Sequence, residues 1–425
     1  MKRRGLKSSA LMGFSYRART LHAEAISLHE IARRFGTPCF VYSRARIERN
    51  YGAFARALAG RDALICYSVK ANSNLAVLAL LARLGAGFDI VSGGELARVQ
   101  AAGGDPRKVV FSGVGKSDEE IGMALRVGVR CLNLESEDEL ERVAALAGRL
   151  RKRAPIAFRV NPDVDAKTHP YISTGLKSSK FGVPYEAAVR LYRQAARMRQ
   201  VDVIGVGCHI GSQMRDPAPL AAAVQRIAGL AARLASAGIA LRHIDVGGGI
   251  GIRYRRERIA PVERFVARCL KALGARHEAL ILDPGRAIVG DAGLLLARVE
   301  TVKHTGAKKF LVVDAAMNDL LRPALYGAWH DVLPVRKKAG KAAVYDVVGP
   351  VCESADFLAR HRRLRASAGD LLAVMSAGAY GMVLSSNYNS RPRAAEVLVD
   401  RGRAHLVRAR ESVEQLFASE SVPKW

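Results

Sequence analysis

From Ala63 to Arg286 short apolar runs alternate with amphipathic stretches, and this alternation constrains the fold more than any other feature. The apolar runs at 63–67, 87–91, 109–112, 129–133, 155–160, 203–208, 242–246 and 279–282 read as strands. Helical patterns lie between them, at Asn74–Leu84, Gly94–Ala102, Asp118–Val127, Glu137–Leu150, Tyr185–Met198, Pro219–Ser236 and Pro261–Leu273. Asn74 and Ser117 are suited to cap two of these helices, because their side-chain oxygens can accept the free N–H groups of a first turn. Strands joined through helices pair in parallel. Eight such units in about 225 residues match a (β/α)8 barrel.

After Arg286 the pattern changes. Leu294–Val302, Lys309–Val313, Ala343–Val348, Asp370–Met375, Ala395–Val399 and Ala404–Val407 are strand-like and lack regular intervening helices. They predict a second, β-rich domain. The N-terminal segment, with Pro38–Tyr42, precedes the first barrel strand and is free to join it. The expected division is 1–45 as an N-terminal contribution to the β-domain, 46–290 as the barrel and 291–425 as the C-terminal β-domain.

Hydrophobic residues make up 49% of the 425, enough for a sizeable core and against disorder. The six cysteines, at 39, 66, 131, 208, 269 and 352, form no CxxC pair, and most sit in apolar runs. Such usage suits a reduced, cytoplasmic chain. No apolar run approaches the roughly 18 residues of a membrane span. Met1–Arg4 is basic, but Leu11–Phe14 is too short for a signal h-region. The first 23 residues hold no acid, so a transit peptide is the alternative to the expected disordered basic tail. Lys plus Arg number 67 against 39 Asp plus Glu, a net charge of +28. That excess suits nucleic acid or an anionic membrane. The charges, however, are spread along the chain, and the densest clusters, Arg253–Arg258 and Arg360–Arg365, carry no interleaved aromatic residue except Tyr254. A solvated surface is the expected reading, with neither nucleic acid nor membrane as partner.

A barrel gathers its chemistry at the C-terminal ends of its strands, often with phosphate held after strands seven and eight. Lys70 follows the first strand, His209 the sixth, Gly247-Gly248-Gly249 the seventh and Asp283-Pro284-Gly285-Arg286 the eighth. Each alone has a plain structural reading: a solvated lysine, a hydrogen-bonded core histidine, a flexible turn, a capping carboxylate. Together they describe a Schiff-base lysine, a ring-stacking imidazole, a phosphate loop and a carboxylate, the parts of a pyridoxal-phosphate site. Glycines there let backbone N–H groups approach an anion with no Cβ between. No metal site is expected.

Longer motifs lie around these residues. They are Tyr67–Asn74 (YSVKANSN), Gly87–Leu96 (GFDIVSGGEL), Asn161–Gly175, His209–Gln213 (HIGSQ), Gly349–Ser354 (GPVCES) and Gly378–Pro392. From about Phe14 onward the chain resembles the diaminopimelate decarboxylases, pyridoxal-phosphate enzymes built as an alanine-racemase-like barrel with a β-domain. The resemblance implies release of CO2 from meso-2,6-diaminopimelate to give L-lysine, the last step of lysine biosynthesis by that route. It makes Lys70 the cofactor-bearing lysine and stacks His209 on the pyridine ring. Ser212, Gly248, Gly249, Gly285 and Arg286 would hold the phosphate, and Asp283 would face the ring nitrogen. Arg286, Arg322 and Tyr326 would bind the distal carboxylate, Glu353 the distal ammonium, and Tyr380 both cofactor and substrate. Cys352 would protonate the substrate carbon and comes, in the family, from the neighbouring subunit, which implies a homodimer.

Relatives usually have glutamate where this chain has Asp283. The charge is kept on a side chain one methylene shorter, so either the loop moves inward or the contact to the ring nitrogen is longer or water-bridged, and a weaker electron sink is expected. Two other enzyme-fold readings remain open: a related decarboxylase of ornithine, arginine or carboxynorspermidine, and a non-catalytic homologue. The set Arg322, Tyr326 and Glu353 suits a distal carboxylate plus ammonium and speaks against the first. Intact Lys70 and Cys352 speak against the second.

Overall fold

The computed structural model describes residues 13–166 and 180–425. The basic N-terminal tail and the later part of the Asn161–Gly175 motif lie outside the described residues. Two compact units emerge, one from Asn50–Ile288, the other from the chain up to Arg49 together with Val289–Trp425.

In the first unit the strands are β1 (Ala63–Ser68), β2 (Gly87–Ile90), β3 (Val109–Phe111), β4 (Cys131–Leu134), β5 (Ala154–Asn161), β6 (Val201–Gly207), β7 (His243–Asp245) and β8 (Ala279–Leu282). Each pairs in parallel with the next, and β8 pairs with β1, so the sheet closes on itself. The barrel expected from the alternation is present. Cys66, Val110, Cys131, Ala157, Ile204 and Ile281, one from each of six strands, pack together in its interior. Helices separate the strands. Asn74 accepts from the Ala76 N–H to start Leu75–Arg83. Ser117 and Glu120 close a reciprocal capping box at the start of Asp118–Val127, and Gly128 ends that helix in the left-handed conformation only glycine adopts freely.

The second unit is a mixed β-sheet. Its longest strand, Gly293–Thr305, pairs antiparallel with Lys308–Val313, Leu371–Val374 and Cys39–Ser43. All five residues of Cys39–Ser43 are buried, and on the other side that strand runs parallel to Ala395–Asp400. The N-terminal segment therefore supplies an internal strand of the β-domain. Phe14, Leu21, Leu28 and Ile31 pack on one side of it with Leu294, Leu296 and Val397.

Several short strands, Thr20–Ala23 and Val332–Pro334 among them, were not expected from the sequence, and one longer strand runs against the expectation. Phe357–Leu364 pairs antiparallel with Ala343–Val348, although its basic run reads as solvated surface. Arg362 is buried: its guanidinium stacks 3.2 Å from the Trp329 ring centroid and donates to the His330 backbone oxygen at 2.9 Å. Stacking on an aromatic face and a carbonyl acceptor replace water around the planar cation.

Candidate active site

The C-terminal ends of the barrel strands surround a cavity of about 390 Å3. Lys70 reaches it from the short 3-10 turn Val69–Ala71 that follows β1. Its Nζ donates to Asp89 Oδ2 at 2.9 Å; the lysine side chain is 36% exposed and the aspartate is buried. The amine is thus held in place yet open to the cavity. Burial opposes ionisation of Asp89, but the charge and hydrogen bond of Lys70 outweigh it and hold the carboxyl below its ordinary range. Ser68 Oγ lies 3.1 Å from Asp89 Oδ2 and 2.8 Å from the backbone oxygen of Asp283, so its single proton serves one of the two.

Asp283 directly follows β8, and its backbone N–H donates to Gly247 O at 3.1 Å. Its Oδ1 is buried and has no hydrogen-bond partner. His209 Nδ1 stands 3.4 Å away without forming a hydrogen bond to it. A third buried carboxyl, Asp245 on β7, also lines the cavity. Burial pushes its pKa well above the carboxylate range, and the neighbouring charge of Asp283 adds to the shift. Asp245 Oδ1 accepts the Gly247 N–H at 2.9 Å. It therefore supports the glycine loop as a neutral acid.

That loop requires its glycines. Gly247 and Gly249 both have φ +74°. A Cβ on Gly248 would stand 2.5 Å from Asp283 Oδ1, and one on Gly249 would stand 2.1 Å from Gly211 O. Backbone bonds from Met214 N to Gly249 O and from Gly251 N to Met214 O, both 2.9 Å, tie this loop to the segment after β6. Gln213 seals the same junction with two bonds to the Ile252 backbone. Ser212 Oγ accepts from Arg286 Nη2 at 3.0 Å, and Arg286 Nη1 donates to the Tyr254 hydroxyl at 2.8 Å. The guanidinium is buried. Gly285 packs closely on the end of β1 and the turn after it: a Cβ there would meet the Ala71 Cβ at 2.8 Å and the Ser68 Cβ at 3.0 Å.

Lys70, His209, Ser212, Gly248, Gly249, Asp283, Gly285 and Arg286 thus all belong to the C-terminal end of the barrel. Asp89, Asp245 and Tyr254 join them and were not singled out from sequence. A lone acid inside an apolar run, Phe88-Asp89-Ile90 or Ile244-Asp245-Val246, was the available signal.

Arg322, Tyr326, Cys352, Glu353 and Tyr380 belong to the β-domain. Arg322 is buried, and its Nη1 meets His330 Nε2 at 2.8 Å. His330 Nδ1 lies 2.8 Å from the Met375 carbonyl, which must receive a proton, so Nδ1 carries the hydrogen and Nε2 accepts from the arginine. Tyr326 is half-buried one helical turn on. Cys352 and Glu353 are exposed; Glu353 Oε1 accepts from the Tyr388 hydroxyl at 2.6 Å, and Asn389 Oδ1 accepts the Cys352 N–H at 3.1 Å. Tyr380 adopts φ +55°, a region a bulky residue enters only when its surroundings force it. All six cysteines are free, and Cys352 is the exposed one. Among the described residues no helix is long and apolar enough to cross a membrane, and no cluster suited to a metal ion occurs.

The barrel residues suit pyridoxal phosphate by their own chemistry. A buried carboxylate oxygen lacks a donor, a glycine cradle has no room for Cβ atoms, a hydroxyl beside a guanidinium suits a phosphate, and an amine stands at the mouth. Residues 44–290 match the family model of the pyridoxal-dependent decarboxylase pyridoxal-binding domain. The diaminopimelate decarboxylase of Pseudomonas aeruginosa is 57% identical over 409 residues, 96% of this chain and 99% of its own. That of Vibrio cholerae is 54% identical, covering 95% and 97%. The crystal structure of the Helicobacter pylori diaminopimelate decarboxylase complexed with L-lysine superposes with a TM-score of 0.90 at 41% identity, covering 92% of this chain and 99% of that one. The crystal structure of the diaminopimelate decarboxylase from M. jannaschii gives 0.93 at 36%, covering 97% and 99%. The chain belongs to the pyridoxal-dependent decarboxylases, in the diaminopimelate decarboxylase family.

Proposed function

We propose that this protein releases CO2 from meso-2,6-diaminopimelate to form L-lysine, with pyridoxal phosphate as cofactor. Near-full-length identity to diaminopimelate decarboxylases carries the reading, and the buried, donor-less Oδ1 of Asp283 is the local observation that best supports the cofactor. When bound, pyridoxal phosphate supplies an electron sink for the pair left behind as CO2 departs.

The chain's own residues do the rest. Lys70 is the attaching amine, and Asp89 positions it and takes up its charge. Asp283 would face the ring nitrogen of the cofactor and favour its protonated form. His209 would stack on the ring. Backbone N–H groups of the Gly248, Gly249 and Gly285 loops, with Ser212 and Arg286, bind the phosphate. Arg286, with Arg322 and Tyr326, takes the distal carboxylate, and Glu353 takes the distal ammonium. Tyr380 closes against cofactor and substrate. The Cys352 thiol would return a proton to the carbon that loses CO2, which becomes a CH2 group, while the product's L configuration is that of the distal centre that does not react. Cys352 and Glu353 act from the neighbouring subunit, so the active unit is a homodimer, working in the cytoplasm.

Distal recognition sets the substrate. An arginine built for a carboxylate meets none in ornithine, and losing that charged partner costs on the order of kilocalories per mole. The test is CO2 and lysine release from meso-diaminopimelate by protein supplied with pyridoxal phosphate, with ornithine and arginine in parallel. Turnover of diaminopimelate alone is expected. Turnover confined to ornithine or arginine would overturn the substrate while leaving the cofactor.

A further inference from the structure

The barrel has a second polar cavity, at the end opposite the one that holds Lys70. Its volume is about 310 Å3, and Arg107, Arg130, Arg242 and His243 line it with Ile204. Arg107 and Arg130 lie just before β3 and β4, and His243 opens β7. All three therefore mark the N-terminal ends of strands.

Residues 243 and 245 share the inward face of β7, because side chains alternate along a strand. Asp245 points up into the active-site cavity; His243 points down into this one. The imidazole is 1% exposed, and neither ring nitrogen has a hydrogen-bond partner. Arg130 Nε is likewise buried without one. Buried polar groups are normally paired, so the two donors among these nitrogens, Arg130 Nε and the one N–H of a neutral imidazole, call for a missing acceptor.

The space for the ring is built in. Gly205 on β6 pairs directly with His243, and a Cβ at 205 would stand 2.2 Å from His243 Nε2. On its other side β6 pairs with β5, and a bulge between Val203 and Gly205 interrupts that pairing at the same point. Tyr192 fixes the spot from outside: its hydroxyl donates to Gly205 O at 2.7 Å and accepts from Phe158 N.

We propose that this floor cavity binds a small oxyanion of the phosphate type, gripped by the guanidinium groups of Arg130, Arg242 and Arg107 and by an N–H of His243. Guanidinium forks match such anions in pairs of hydrogen bonds. Asp202 at 2.9 Å from Arg242, and Asp105 at 3.1 Å from Arg107, offset part of the charge. No carboxylate pairs with Arg130 among the described residues. Burial and then the charges of Arg130 and Arg242 push the His243 pKa down to about 3, so the ring is a neutral donor. An anion here ties together the starts of β3, β4 and β7. That role fits a barrel floor, where sequence serves stability rather than chemistry.

The test is calorimetric titration of inorganic phosphate into the protein loaded with pyridoxal phosphate, against chloride at matched ionic strength. Saturable binding near one site per chain is expected, together with a higher melting temperature in phosphate than in chloride. Arg130→Gln and the surface variant Arg242→Gln should each weaken binding about tenfold, the weight of a charged hydrogen bond. His243→Phe keeps the ring volume against Gly205 and should weaken it too. No saturable binding, unchanged affinity in both arginine variants, or loss of the signal in excess pyridoxal phosphate would each overturn the proposal. The last would assign the phosphate to the upper site.

Discussion

Lys70 and Asp89 form an ion pair at the mouth of the barrel, Nζ to Oδ2 2.9 Å, in which only the lysine meets solvent. The carboxylate is committed to that amine, with its other oxygen buried and unpartnered. Asp89→Asn keeps the shape and removes the charge. It should slow turnover and weaken cofactor retention. In the cofactor-free protein it should also cost on the order of 1 kcal/mol, at the low end for a broken charged bond because the lysine is partly solvated. The folded pKa of Asp89 is depressed, so the stabilisation is present above the unfolded value of about 4 and fades as pH falls through the folded one. Melting curves of both proteins should therefore converge in acid.

Asp245 behaves in the opposite sense. Its folded pKa is raised, so its contribution is full below the unfolded value and is lost as pH rises through the folded one. Asp245→Asn cannot ionise and can still accept the Gly247 N–H. The variant should gain melting temperature over the parent as pH rises from about 5 to about 8. A difference that does not change with pH would sink the idea of a neutral Asp245.

Ser212 accepts from Arg286 and stands beside the glycine cradle. Ser212→Ala should raise the dissociation constant for pyridoxal phosphate about tenfold, the equivalent of one charged hydrogen bond. Equilibrium dialysis with absorbance detection measures it.

His330 is fully buried and hands Arg322 an acceptor while anchored on the Met375 carbonyl. It touches no substrate in the proposed scheme and acts through the arginine. His330→Phe should raise KM for diaminopimelate about tenfold and change kcat less, as expected when an orienting partner is lost. A fall in kcat alone would contradict that role.

Asp283 sits against Gly248, its backbone pinned to Gly247 O on one side and to the Ser68 hydroxyl on the other. The loop has little room to carry the shorter side chain inward. Asp283→Glu should therefore raise kcat and tighten cofactor binding. If both stay unchanged, the shorter carboxylate is no handicap.

The barrel was legible because its signals are local. Asp118–Val127 begins at Ser117 and ends before Gly128, where capping chemistry puts both ends in the sequence. Lys70, His209, the triple glycine and Asp283 were legible for a related reason: each follows an apolar run, and strand ends in a barrel share a rim. Asp89 and Asp245 were harder, since a charge in a buried strand reads as an exception until its partner is known. Lys70 supplies the partner for one; protonation replaces it for the other.

By itself the sequence determined the alternation of elements, the caps, and which chemistries lie at strand ends, because periodicity and turn residues act over a few neighbours. Only the tertiary structure decided that Cys39–Ser43 becomes an internal strand beside Gly293–Thr305 and Ala395–Asp400, partners some 250 and 350 residues away in the chain. It alone decided that Arg362 is buried on Trp329, that His330 orients Arg322, and that His243 faces a second cavity. Those outcomes depend on which long-range neighbour replaces water around a polar group, and no local pattern encodes that neighbour.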